Sequence, residues 1–371
     1  MWRFEGKDRS RKAFVANGEI MDEIKIVDLF CGGGGLTYGL RQAGLDVVEG
    51  VDVDRSCRWA YEENNPNARF VAIDASRYDE LRLRRAFGHA RRRVLVGCAP
   101  CQPFTTYAQG PRAADRDEWA LLTHFADLAL AVKPDVVSME NVPGLAKREV
   151  FERFVERLET IYEVSSEVVD CRLYGAPQRR KRLVVMASLR GAGKIGLPRP
   201  THADSSDWRT VEESLGRLPE LAAGESDADD PLHRAAALTE LNLRRIRASK
   251  PGGTWRDWPV ELRAPCHRRD SGSTYPSVYG RMRADEPSPT ITGQAYGFGN
   301  GRFGHPEQDR AITLREAALL QTFPRDYRFV EPGADFGMKN VGRQIGNAVP
   351  PVLGEAIGRR IAEHLRPQTV S

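Results

Sequence analysis

The chain has 371 residues, 41% hydrophobic and 29% charged, the balance of a globular protein with one large core and room for a second lobe, which argues against a disordered or membrane protein. Its net charge is only +4, from 55 basic and 51 acidic residues, so a polyanionic partner is permitted but not demanded. The six cysteines do not look like a disulfide framework, and Cys98-Ala-Pro-Cys101 with Cys266-His267 does not complete a zinc site, so no metal is expected.

Residues 1–20 are polar and aperiodic and read as a flexible arm, with Met21 a candidate initiator. They hold no apolar segment for export, and no run in the chain is long enough to span a bilayer. Ile24–Phe30 is an apolar run that enters a glycine cluster, as a buried strand does. Leu36–Ala43 reads as a helix closed by Gly44, followed by strand Val47–Val53, helix Arg55–Asn64 and strands Phe70–Ile73 and Val94–Gly97. Trp119, Leu122, Phe125, Ala126 and Leu130 mark one face of a helix ended by Pro134. Strand Val136–Met139, an amphipathic helix Val150–Ile161 and strands Val164–Val169 and Leu183–Ala187 complete the rhythm. Such alternation predicts an α/β fold with a mostly parallel sheet covered by helices on both faces.

After Ala187 the rhythm stops, and a second domain is expected. Asp204–Asp230 carries nine acids against two arginines, whereas Asn242–Asp270 is basic, with Trp255 and Trp258 expected to stiffen its surface. Leu314–Gln321 and Leu353–His364 are helical again, the last returning to the first domain. The expected division is a catalytic domain over 21–190, a second domain over 191–330, and a hinge and C-terminal helix over 331–371.

Four segments carry chemistry. Asp28-Leu-Phe-Cys-Gly-Gly-Gly-Gly35 lies where a strand turns into a helix, and glycine there lets the backbone approach a ligand. Asp52, at the end of the next strand, suits a ribose hydroxyl. The run does not match the dinucleotide fingerprint and lacks a P-loop lysine, which favours a nucleoside cofactor without pyrophosphate. Cys101 sits between two prolines after the fourth strand, with Cys98 read as packed at the strand end. Glu140 closes another buried strand, and Gln178-Arg-Arg-Lys-Arg182 precedes one.

In this order and spacing the segments resemble the cytosine-C5 DNA methyltransferase family. Pro100-Cys101-Gln102 resembles its nucleophile motif, Glu140-Asn141-Val142 its acid motif, and Gln178-Arg-Arg-Lys-Arg182 its Q-x-R-x-R. Pro289-Thr-Ile-Thr292 and Gly346-Asn-Ala-Val-Pro350 resemble its last two motifs. The resemblance implies a Rossmann-like S-adenosylmethionine-dependent sheet with a smaller target-recognition domain. It implies catalytic roles for Cys101, Glu140 and Arg180. Cofactor contacts would fall on Phe30, Gly32, Gly34, Leu36, Asp52, Val53, Asp74, Ala75, Pro100, Leu121 and Asn347, and DNA contacts on Gln102, Arg182, Thr292, Arg256 and Arg268. Val53 stands where the family often has an aromatic residue, and Ala348 where it often has serine.

The chemistry implied is addition of a Cys101 thiolate to C6 of a flipped-out cytosine, activating C5 for methylation. Arg180 or Arg182 would favour the thiolate. Expected partners are double-stranded DNA and, functionally, a cognate restriction endonuclease, for a monomer that is cytoplasmic and nucleoid-associated. A transfer-RNA methylase, a silent DNA-binding regulator and a nicotinamide oxidoreductase are the rival readings.

Overall fold

The computed structural model describes residues 24–100, 114–216, 218–269 and 276–366, with only the backbone over 114–119. In chain order its first part runs β1 (Ile24–Leu29), α1 (Gly35–Gln42), β2 (Asp46–Asp52), α2 (Arg58–Asn64), β3 (Arg69–Ala72), α3 (Glu80–Phe87) and β4 (Arg92–Gly97). There follow α4 (Ala114–Val132), β5 (Val136–Asn141), α5 (Glu149–Glu159), β6 (Tyr162–Asp170) and β7 (Lys181–Leu189).

The strands form one sheet in the order β3-β2-β1-β4-β5-β7-β6. The first five are parallel, and β7 runs antiparallel to both of its neighbours. Alternate side chains of a strand face opposite ways, and β1 shows the result. Val27 and Leu29 enter a core with Phe125, Phe154 and Leu83, while Ile24 and Ile26 enter another with Leu40, Leu353 and Ile361. Helices α3, α4 and α5 therefore cover one face. The other is covered by α1 and a long C-terminal helix, Pro351–Leu365.

Beyond β7 come α6 (Val211–Leu215), α7 (Glu240–Arg247), α8 (Leu314–Leu320), α9 (Met338–Asn347) and α10 (Pro351–Leu365), joined by long irregular segments. Irregular backbone leaves carbonyls without ladder partners, and buried carbonyls need donors. Arginine, with five, supplies them. Buried Arg281 donates to the carbonyls of Ile246, Ser249, His305 and Gln308 and pairs with Asp309. Arg245 donates to Leu262 O and lies over the rings of Trp258 and Tyr279.

Trp255 and Trp258 do not stiffen a surface, as the sequence suggested. They are 5% and 2% exposed and build a core with Ile246, Leu262, Phe298 and Ala311. In a segment with so little regular structure, two indoles are the largest apolar surfaces available for burial.

Candidate active site

Ligands of open α/β sheets bind at the carboxyl ends of the strands, and the candidate residues converge there. After β1 the backbone passes through left-handed conformations at Phe30 (φ 62°), Gly32 (φ 50°) and Gly34 (φ 92°). Gly34 opens α1 with no side-chain cap, leaving amide donors at the loop. Beneath the loop, buried Asp28 accepts from Thr37 Oγ1 at 2.7 Å. At the end of β2, Asp52 Oδ2 accepts from Gly32 N and its Oδ1 from Asp54 N, both at 2.8 Å. Burial raises the Asp52 pKa while these two amides oppose the rise.

The loop fits a nucleoside cofactor. A Cβ built on Gly32 would meet no atom within 4 Å, so the cradle beside it is open. Val53, next to Asp52, is 69% exposed at its edge. Each Asp52 oxygen keeps a lone pair for a ribose hydroxyl. Asp74 and Ala75 follow β3 on the same edge, where Asp74 caps a short turn and the Ser76 hydrogen bonds hold its pKa down. Leu36 and Ala75 are buried, Pro100 and Leu121 half-buried, and Asn347 is exposed at the end of α9.

Glu140 lies near the end of β5 and is 2% exposed. Its Oε2 accepts from Cys98 Sγ at 2.8 Å. Its Oε1 is 2.7 Å from Arg182 Nε but receives no hydrogen bond from a described residue. Asn141 Nδ2 donates to Ala99 O at 3.0 Å, tying this strand end to the one that leads into Cys101. Cys101 and Gln102 lie outside the described residues.

The two arginines of the Q-x-R-x-R segment part company. Arg180 is buried, and its guanidinium donates to the carbonyls of Ile291, Gly346 and Ala348 at 3.0–3.1 Å. Burial lowers its pKa to about 9. Gln178 joins this hub through Leu320 O and Ile291 N. The resemblance implies a catalytic role for Arg180; the structure engages Arg180 with backbone and sets Arg182 against Glu140. Half-buried Thr292 sits beside the hub, where a Cβ on Gly346 would lie 2.2 Å from the Thr292 carbonyl carbon. Arg256 and Arg268 are exposed on the second part of the chain, far along the sequence from this edge. Arg256 lies over the Trp255 ring, and Arg268 donates to Arg263 O and Glu261 O. The Cys98–Glu140 contact had no signal in the sequence beyond the position of each residue at a strand end.

A seven-stranded sheet with one reversed strand, a glycine loop and an acid at the end of β2 defines the Rossmann-like fold of S-adenosylmethionine-dependent methyltransferases. Residues 24–363 match the family described as C-5 cytosine-specific DNA methylase, and the chain belongs to it. The Type II methylase M.HgiDII of Herpetosiphon aurantiacus is 49% identical over 92% of this chain and 95% of its own length. The Type II methyltransferase M1.HphI of Haemophilus parahaemolyticus is 32% identical over 91% and 86%. Among solved structures, a putative DNA modification methyltransferase encoded within an E. coli prophage superposes with a TM-score of 0.72 at 23% identity, over 92% of this chain and 99% of that one. The S. pombe Dnmt2 methyltransferase superposes with 0.58 at 16% identity, over 93% and 99%. The chain is thus a DNA cytosine-5-methyltransferase that uses S-adenosylmethionine, which removes the nicotinamide oxidoreductase from consideration. Among the described residues no helix is long and apolar enough to cross a membrane.

Proposed function

We propose that the enzyme methylates a cytosine flipped out of a specific short duplex sequence, through a covalent bond between Cys101 Sγ and cytosine C6. The observation that carries this reading is Glu140, a buried carboxyl group at the strand edge, ion-paired with Arg182 through an oxygen that receives no hydrogen bond from a described residue. A buried polar atom without a hydrogen bond calls for a ligand that supplies one; the exocyclic amine of cytosine does so, and N3 is the acceptor for a proton carried on the carboxyl group.

S-adenosylmethionine, when bound, supplies an electrophilic methyl group. Phe30, Gly32, Gly34, Leu36, Asp52, Val53, Asp74, Ala75, Pro100, Leu121 and Asn347 are the residues to hold it, Asp52 through the ribose. The Cys101 thiolate adds to C6 while Glu140 gives a proton to N3. C5, now electron-rich, takes the methyl group. Loss of the C5 proton to solvent, return of the N3 proton to Glu140 and cleavage of the Sγ–C6 bond restore the ring. Arg182 keeps Glu140 in place and faces the base, while Arg180 braces the segments around it. Gln102 and Thr292 contact DNA beside the flipped base.

Residues 21–190 with the C-terminal helix form the catalytic lobe, and about 191–330 the recognition lobe, in which Arg256 and Arg268 meet DNA. That extended region favours DNA over transfer RNA. The two Type II relatives support a role beside a cognate endonuclease, for an enzyme that acts as a monomer in the cytoplasm, on the nucleoid.

DNA with 5-fluorocytosine at the target tests the chemistry, because fluorine at C5 cannot leave as a proton does. Wild type should be trapped covalently and Cys101→Ser should not. An adduct that persists in Cys101→Ser removes Cys101 from the mechanism.

A further inference from the structure

The sequence leaves Cys98 a bystander packed at a strand end, and the structure gives it a partner. Its thiol donates to Glu140 Oε2 at 2.8 Å, on the opposite oxygen from the one beside Arg182. Neither end of this contact is loose. The Cys98 amide bonds to Leu29 O at 3.2 Å. Ala99 O accepts from Asn141, the residue after Glu140. The β4–β5 register brings the two strand ends together, with Gly97 opposite Met139.

A carboxyl group on a flexible side chain must present one edge to its substrate, and a long side chain loses rotamer freedom when fixed. Arg182 alone touches one oxygen and leaves the plane of the group free to turn about that contact. A second donor on the other oxygen fixes the plane. A thiol is a weak donor, so it can hold Oε2 without drawing the carboxylate away from an incoming base.

We propose that Cys98 is a positioning residue for methyl transfer, its thiol orienting the Glu140 carboxyl plane toward the flipped cytosine. The proposal rests on the reading of Glu140 as the group that meets the base.

The test compares Cys98→Ala and Cys98→Ser, alone and in a Glu140→Gln background, by single-turnover methylation and by the rate of trapping on 5-fluorocytosine DNA. Cys98→Ala should slow both by about five- to thirtyfold, the size of losing a net hydrogen-bond contribution of about 1–2 kcal/mol. KM for DNA and affinity for S-adenosylhomocysteine should stay at the wild-type values. Cys98→Ser keeps a donor and should recover most of the loss. In Glu140→Gln, where the carboxylate is already gone, Cys98→Ala should add less than about a twofold change, because residues that act through one another are non-additive. Equal losses in Ala and Ser, or the full loss repeated in the Glu140→Gln background, overturn the proposal. So does a Cys98→Ala protein that has lost cofactor affinity or thermal stability in proportion to its rate, since the residue is then structural. If wild type forms no adduct, the covalent mechanism fails, while the methylation arm still decides the role of Cys98.

Discussion

Asp28→Asn isolates the cost of a buried charge beneath the glycine loop. Asp28 is 1% exposed, and its Oδ1 has no hydrogen bond from a described residue. Burial raises its pKa from 3.8 to about 7, the Thr37 hydrogen bond opposing and the nearby Asp52 charge adding. Cys31 and Tyr61, which also face this pocket, have pKa values pushed upward by burial and stay neutral across the range tested. Between these two values the unfolded chain is ionised at Asp28 while the folded chain keeps the proton. The folded state then binds more protons, so stability falls as pH rises, by about 1.4 kcal/mol per pH unit. Over the whole interval the loss is about 4 kcal/mol, and between about pH 5.5 and 7 it is about 2 kcal/mol. Asparagine keeps an acceptor for Thr37 and cannot ionise. In urea unfolding of the cofactor-free protein, the stability of Asp28→Asn relative to wild type should therefore climb through that window and level off above about pH 7. Parallel curves, or a wild type that gains on the variant as pH rises, would refute the reasoning.

Other sites give sharper structural outcomes. A Cβ on Gly39 would lie 2.3 Å from Pro351 O and 2.6 Å from Glu355 N. Both atoms are backbone, so Gly39→Ala must part α1 from α10 and should cost about 1–3 kcal/mol in denaturant unfolding. Arg310 is fully buried and makes a two-pronged pair with Glu316 at 2.7 and 2.8 Å. Arg310→Ala strands that carboxylate and should cost about 3–5 kcal/mol, read as a lowered unfolding midpoint. Arg245→Ala should lower thermal stability, because Arg245 holds Leu262 O, whereas exposed Arg244→Ala should leave the unfolding midpoint within about 0.5 kcal/mol of wild type.

The sheet was legible because its strands are buried on both faces and so read as short apolar runs. IKIVDL and VVSMEN needed no partner to be recognised. Helix α3 was not, since ELRLRRAF buries only Leu83 and Phe87 and otherwise reads as a charged surface. The segment Arg55–Asn64 looked like one helix and is two pieces. The Asp54 side chain accepts from Ser56 N and starts a tight turn, which the α-helix follows from Arg58. The second part of the chain was opaque for a different reason. Its carbonyls are satisfied by buried arginines rather than by ladders, and a buried arginine has the same letter as an exposed one.

Strand direction is what separated Arg180 from Arg182. Two residues apart in a strand would put both guanidinium groups on one face, and the Q-x-R-x-R spacing invites that reading. However, β7 begins at Lys181, so Arg180 stands outside it and turns to the carbonyls of Ile291, Gly346 and Ala348. Because β7 is antiparallel, Glu140 pairs with Val184. Arg182 is then the diagonal neighbour two residues back on the same face, within reach for a long side chain. Had β7 run parallel like the five strands before it, its first residues would lie at the amino end of β5, a strand's length from Glu140. Periodicity reports that a segment is a strand and is silent on which way it points. The one reversed strand in the sheet is therefore what sets an arginine beside the buried acid.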